Sequence, residues 1–85
     1  MRKFQKILLK VLSGDNDKNI RFEDIRYLLD CLGFRKRIKG SHIIFTKNDI
    51  EEIINLQPDG HLTKPYQVRQ VRSIITKYSL GGNDE

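Results

Sequence analysis

Phe34-Arg35-Lys36-Arg37-Ile38-Lys39-Gly40-Ser41-His42-Ile43-Ile44-Phe45 carries the clearest structural pattern in the chain. Its first half alternates, with Phe34, Lys36 and Ile38 on one side and Arg35, Arg37 and Lys39 on the other. A period of two belongs to a β-strand, and this one carries a fully basic face. Gly40-Ser41 is a tight turn of the kind that joins antiparallel strands. His42 to Thr46, β-branched and aromatic, is the return strand. His42 therefore stands where a cationic segment meets an apolar one.

Outward from the hairpin toward the C terminus, Lys47-Asn48-Asp49 is a second turn. Residues 50–56 are ambiguous. Ile50, Ile53 and Ile54 fit a helix capped by Asn48 or Asp49, whereas Ile50, Glu52, Ile54 and Leu56 fit a strand. A third strand completes a meander and gives the hairpin enough sheet to be stable, so the strand is preferred. Gln57 to Lys64 is a loop with Pro-Asp-Gly turn chemistry. Pro65 suits the first turn of a helix whose buried stripe is Val68, Val71, Ile74, Ile75 and Tyr78, with Arg69, Arg72 and Lys77 elsewhere on its surface. Gly81-Gly82 is expected to stop it, leaving Asn83-Asp84-Glu85 as a frayed tail.

Outward toward the N terminus, Phe22, Ile25, Leu28, Leu29 and Leu32 mark a helix over about 22–32. Acids stand in its first turn and Gly33 just past its end. Ser13 to Asn19 reads as a polar connector. Its acids do not fall in the register of a calcium-binding loop. Phe4, Ile7, Leu8, Val11 and Leu12 give an amphipathic helix over 3–12, packed on the domain with Lys3, Lys6 and Lys10 solvated.

The order is helix, helix, three strands, helix in one domain, residues 1–85, with a core over 20–80 preceded by an extra N-terminal helix. Its α-β-β-β-α part is an α+β arrangement in which helices cover one face of a three-stranded antiparallel sheet. The other face stays open to water, where Arg35, Arg37 and Lys39 or their alternates can point.

A chain of 85 residues buries only roughly 60–65% of its unfolded surface, so an active site is expected as a surface cleft rather than an enclosed cavity. Sixteen Lys and Arg oppose eleven Asp and Glu, a net charge of +5 that favours acidic partners such as nucleic acid. The excess clusters at 35–39 and again at Lys64, Arg69, Arg72 and Lys77. Cys31 is the one cysteine, so no intrachain disulfide forms. With no signal-like segment at the start, a reducing cytoplasm is expected. Cys31 itself is expected to be a buried structural thiol. The apolar run at 7–12 is far shorter than the ~20 residues that span a bilayer.

Four cations within residues 35–39 are denser than edge protection requires, and phosphate contact by Arg35, Lys36, Arg37 and Lys39 is the better account. Lys64 is the next candidate, because helix N-termini attract anions. From the residues alone His42 reads first as a partly buried histidine at a strand start, satisfied by a backbone carbonyl; beside these cations it also has the chemistry for RNA cleavage. A side chain that titrates near neutrality deprotonates a 2′-hydroxyl or protonates a leaving 5′-oxygen, while cations stabilise the phosphorane. No metal or cofactor is called for: the histidines are His42 and His61, and no carboxylate cluster sits near the His42 turn. His61 reads as an exposed turn residue, or as a second acid/base if its loop folds over the sheet.

The pattern of Phe22 through Leu32, then Gly33-Phe34, then a basic strand into Gly40-Ser41-His42 with Phe45 three residues on, ends in the helix Val68-Arg69-Gln70-Val71-Arg72-Ser73-Ile74-Ile75. Over residues 20–80 it resembles the HicA family of toxin endoribonucleases. The resemblance implies a double-stranded-RNA-binding-domain-like fold, metal-independent cleavage of mRNA, and neutralisation by a HicB-type antitoxin. It implies that His42 is the catalytic histidine, with Gly40 and Ser41 beside it in the RNA site. Many members carry a second histidine directly after the first. Here that position is Ile43, which alternation turns to the opposite side of the strand from His42. Two other functions share the fold and charge: a non-catalytic RNA-binding module, and a decayed toxin that retains only its protein partner.

Overall fold

The computed structural model describes residues 2–81; the expected tail at 83–85 and Gly82 lie outside the described residues. The α2 helix (Phe22–Cys31) ends just before the basic hairpin. Gly33 adopts φ +91°, and the amides of Gly33 and Phe34 bond back to the carbonyls of Asp30 and Leu29, each at 3.1 Å. This is a Schellman cap, which needs a residue in the left-handed conformation. It turns the chain so that Phe34, 6% exposed, enters the core just before β1 (Arg35–Lys39). Gly40 then takes φ +62° as the first residue of the two-residue turn into β2 (His42–Lys47), the position that a type II′ turn reserves for glycine.

The strand reading of the ambiguous segment holds: β3 spans Ile50–Leu56. The three strands form an antiparallel meander in the order β1-β2-β3. Lys39 pairs with His42, Arg37 with Ile44 and Arg35 with Thr46, while Ile44 pairs with Asn55 and Phe45 with Ile54. The register shifts between Phe45 and Lys47, where two residues of β2 oppose four of β3. Ile43, Phe45, Ile54 and Leu56 are buried on the helix side. Ile43 therefore faces away from His42, as alternation requires.

The α3 helix (Pro65–Lys77) packs on β3, and α1 (Lys3–Ser13) packs on α2 and α3. Ile7, Leu8 and Val11 of α1 join Ile25, Leu28 and Leu29 of α2, and Val68, Val71, Ile74 and Ile75 of α3, in one core. The observed architecture is thus α+β, the α-β-β-β-α order with one helix added in front. Leu12, expected in the α1 stripe, lies at its margin and is 39% exposed. None of the helices among the described residues is long and apolar enough to cross a membrane.

Four expectations need correction. Cys31 is exposed, because α2 buries the face of Ile25, Leu28 and Leu29 and turns Cys31 outward with Tyr27, one helical turn back. The connector at 13–19 contains a 3₁₀ turn, Asp17–Asn19. The loop at 57–64 folds into a small hairpin, β4 (Pro58–Asp59) and β5 (Leu62–Thr63), held by Phe22 N–H donating to His61 O at 2.9 Å and Thr63 N–H donating to Ile20 O at 2.8 Å. Finally, α3 stops before the glycines. Ser79 takes the left-handed conformation, with φ 53°, and Leu80 N–H bonds back to Ile75 O at 2.9 Å, folding Leu80 against the core.

Candidate functional site

The sheet face turned away from the helices is a small grid. From β1 it carries Arg35, Arg37 and Lys39, and from β2 His42, Ile44 and Thr46, opposite Asn55 and Ile53 of β3. As an edge strand covered on neither side, β1 is exposed at all five residues. Charges at every second position of a strand stand about 6.6 Å apart. Arg35 Nη2 donates to Asn48 Oδ1 at 2.8 Å, which fixes that guanidinium at the end of the row. Arg37 and Lys39 have no ion-pair partner among the described residues.

His42 is half-buried at the start of β2, across from Lys39. Its Nδ1 lies 3.0 Å from Asn55 Oδ1. An amide oxygen only accepts, so Nδ1–H is the donor. Nε2 is left as the atom that takes or gives a proton. Asn55 is itself held from below. Gln67, 3% exposed in the first turn of α3, donates from Nε2 to the Asn55 carbonyl at 3.0 Å and accepts from Gln57 N–H at 3.5 Å. Gln57 Nε2 reaches Ser41 Oγ at 3.5 Å. The N-terminal end of α3 thus anchors the end of β3, and through Asn55 the imidazole.

The expected site residues divide between this face and other places. Arg35, Arg37, Lys39 and His42 share it, with Gly40 and Ser41 at its rim. Lys36 pairs with Phe45, on the helix side of the pleat, and its Nζ bonds Asp30 Oδ2 at 3.0 Å. Lys64 is the N-cap residue of α3, and no hydrogen bond joins it to His42. His61 sits in the turn of the small hairpin, beside Arg21, Phe22 and Arg26 at the start of α2, in a depression that shares no residue with the sheet face. It is not brought to His42.

Two of the four cations of the second cluster, Arg72 and Lys77, are paired with acids. Arg72, read as a surface residue, is three-quarters buried and donates to both oxygens of Asp17, at 2.8 and 3.1 Å, and to Val11 O at 3.1 Å. Its guanidinium holds the Asp17 carboxyl below the usual carboxylate range. Lys77 Nζ and Tyr78 Oη donate to Glu52 at 2.9 and 2.7 Å, bringing its pKa down to about 2. These pairs tie α3 to the α1–α2 connector and to β3.

Asn55, Gln57 and Gln67 escaped the sequence reading. The available signal was the strand register: once β3 is paired, Asn55 is the polar side chain diagonal to His42. Gln67 is a polar residue bordering the apolar stripe of α3, a weaker sign. No protein family, curated protein or solved structure matches the chain.

Proposed function

We propose that this chain is an endoribonuclease that cleaves mRNA in the cytoplasm, the toxin of a toxin–antitoxin pair restrained by a HicB-type antitoxin. The observation that carries this reading is the His42–Asn55 pair at 3.0 Å on an open, cation-flanked sheet face. A histidine kept only for packing needs no partner that fixes its tautomer on the solvent side of a sheet. In the proposed reaction the 2′-oxygen attacks the adjacent phosphorus, the bond to the 5′-oxygen breaks, and a 2′,3′-cyclic phosphate and a 5′-hydroxyl result. His42 Nε2 takes the proton from the 2′-hydroxyl or gives one to the departing 5′-oxygen, and solvent handles the other proton. Lys39 and Arg37 lower the energy of the phosphorane by charge. Ile43 in place of a second histidine does not weaken this reading, because its side chain belongs to the core.

The test is incubation of labelled RNA with the purified chain in chelator, beside His42→Ala. Cleavage by the wild type alone is expected. Equal cleavage by the variant excludes His42 as the catalytic group. Binding by both proteins with the RNA recovered intact favours the non-catalytic module, which the same row of cations supports.

A further inference from the structure

Beside His42 the open sheet face dips into a shallow depression of about 330 Å³, with Ile44, Thr46 and Ile53 as its floor and Arg35 and Arg37 along its β1 side; Lys36 borders it between them, its ammonium held by Asp30. Two features of its lining are unusual for a solvated sheet. Ile53 is 59% exposed, and with the half-buried Ile44 it makes an apolar floor on the solvent side of the sheet. Among the described residues, no acidic side chain lines the depression. Neither feature serves the core, which is complete on the other face, and neither is needed for proton transfer by His42.

The size selects the occupant. A stable protein interface buries about 800 Å² on each partner, far more than two isoleucines supply. Two isoleucines bordered by arginines suit a single planar ring, on which guanidinium planes stack. Ile44 lies two residues from His42 on the same side of β2, about 6.6 Å along the strand, a one-nucleotide step. The cations of β1 run parallel at the same interval, as they must to follow the phosphates of an extended single strand. Among the described residues Thr46 is the one uncharged polar side chain in the lining, so hydrogen-bond selection among bases is weak.

We infer that the depression over Ile44 and Ile53 is a nucleobase seat. It takes the base of the nucleotide that adjoins the phosphate at His42, with Arg37 stacked on the ring. This inference rests on the RNA reading of the face and adds the subsite that reads a base rather than a phosphate. Seating the base fixes the sugar next to it, and so the line along which the 2′-oxygen meets the phosphorus.

The experiment uses the whole chain with labelled isoleucine methyls and two short oligomers of equal charge. One is a single-stranded RNA with 2′-fluoro in place of the 2′-hydroxyl, which cannot be cleaved. The other is a base-free sugar-phosphate oligomer. The base-bearing oligomer is expected to shift the methyl resonances of Ile44 and Ile53 and to bind about fivefold more tightly than the base-free one. In Ile53→Ser, whose exposed position leaves the core intact, that ratio falls toward one. In Lys39→Ala both oligomers weaken alike. Equal binding of the two oligomers with unmoved Ile44 and Ile53 resonances overturns the base seat, leaves the RNA reading standing, and returns the apolar pair to a protein partner. Failure of both oligomers to bind overturns the base seat and the RNA reading together.

Discussion

His42 Nδ1 and Asn55 Oδ1 lie 3.0 Å apart, across two strands that bring them together only through the β2–β3 register. The contact decides which nitrogen is free to exchange a proton. Replacing Asn55 with Ala removes the acceptor and lets the ring rotate and change tautomer. Under the proposed function, RNA cleavage is expected to fall about tenfold in kcat, with KM little changed, because the cations of β1 stay in place. Asn55 is exposed, so the melting temperature should move by less than about 4 °C. A loss confined to KM would mean that Asn55 binds RNA and does not position His42.

The cations of β1 divide by the side of the strand they occupy. Arg37 and Lys39 stand with His42, whereas Lys36 is drawn to Asp30 on the other side. Arg37→Ala and Lys39→Ala should each weaken RNA binding and lower the slope of log affinity against log salt by about 0.7. Lys36→Ala should leave that slope nearly unchanged. Titrations at several salt concentrations separate the two groups, and an equal effect from all three would place the RNA over the edge of β1 instead of its open face.

The hairpin was legible in the sequence because alternation and a Gly-Ser turn are local signals, and β3 followed because a two-stranded ribbon needs a third strand. The stop of α2 at Gly33 was legible for the same reason. What was missed depends on contacts distant in the chain. Arg72 looks like any helix-surface cation until the 3₁₀ turn carries Asp17 to it, 55 residues away in sequence. Cys31 was misplaced because one position of offset on a helix separates the buried stripe from the solvent side. Asn55 and Gln67 are ordinary polar residues in sequence, and only strand register and helix packing make them partners of the site.

Arg72 links three segments. Its guanidinium bridges Asp17 and the C-terminal carbonyl of Val11 from a largely enclosed position on α3. Arg72→Ala leaves a half-buried carboxylate and a helix-end carbonyl without their donor, a loss of about 2 kcal/mol. For a domain this small that corresponds to about 10 °C in melting temperature. Thermal denaturation at neutral pH measures it. Cleavage by the folded variant should be preserved, since Arg72 touches nothing on the open face.

Acid should unfold the domain through two carboxylates. Glu52 has its pKa brought down to about 2 by hydrogen bonds from Lys77 and Tyr78, and Asp17 is lowered by Arg72. Both groups ionise more easily in the folded chain than in the unfolded chain, where they titrate near pH 4. The unfolded state therefore binds more protons between these values, and stability rises with pH across that window. The contribution is complete above about pH 5 and is lost as pH falls through 4 toward 2. Glu52→Gln and Asp17→Asn should each flatten this acid limb, and the double variant should flatten it further, because the two pairs tie different segments to α3. High salt should shrink the Glu52 part more, since that pair is the more exposed. Melting temperatures from pH 2 to 7 for the wild type and the three variants test the assignment; an acid limb equally steep in all four proteins would show that other carboxylates carry it.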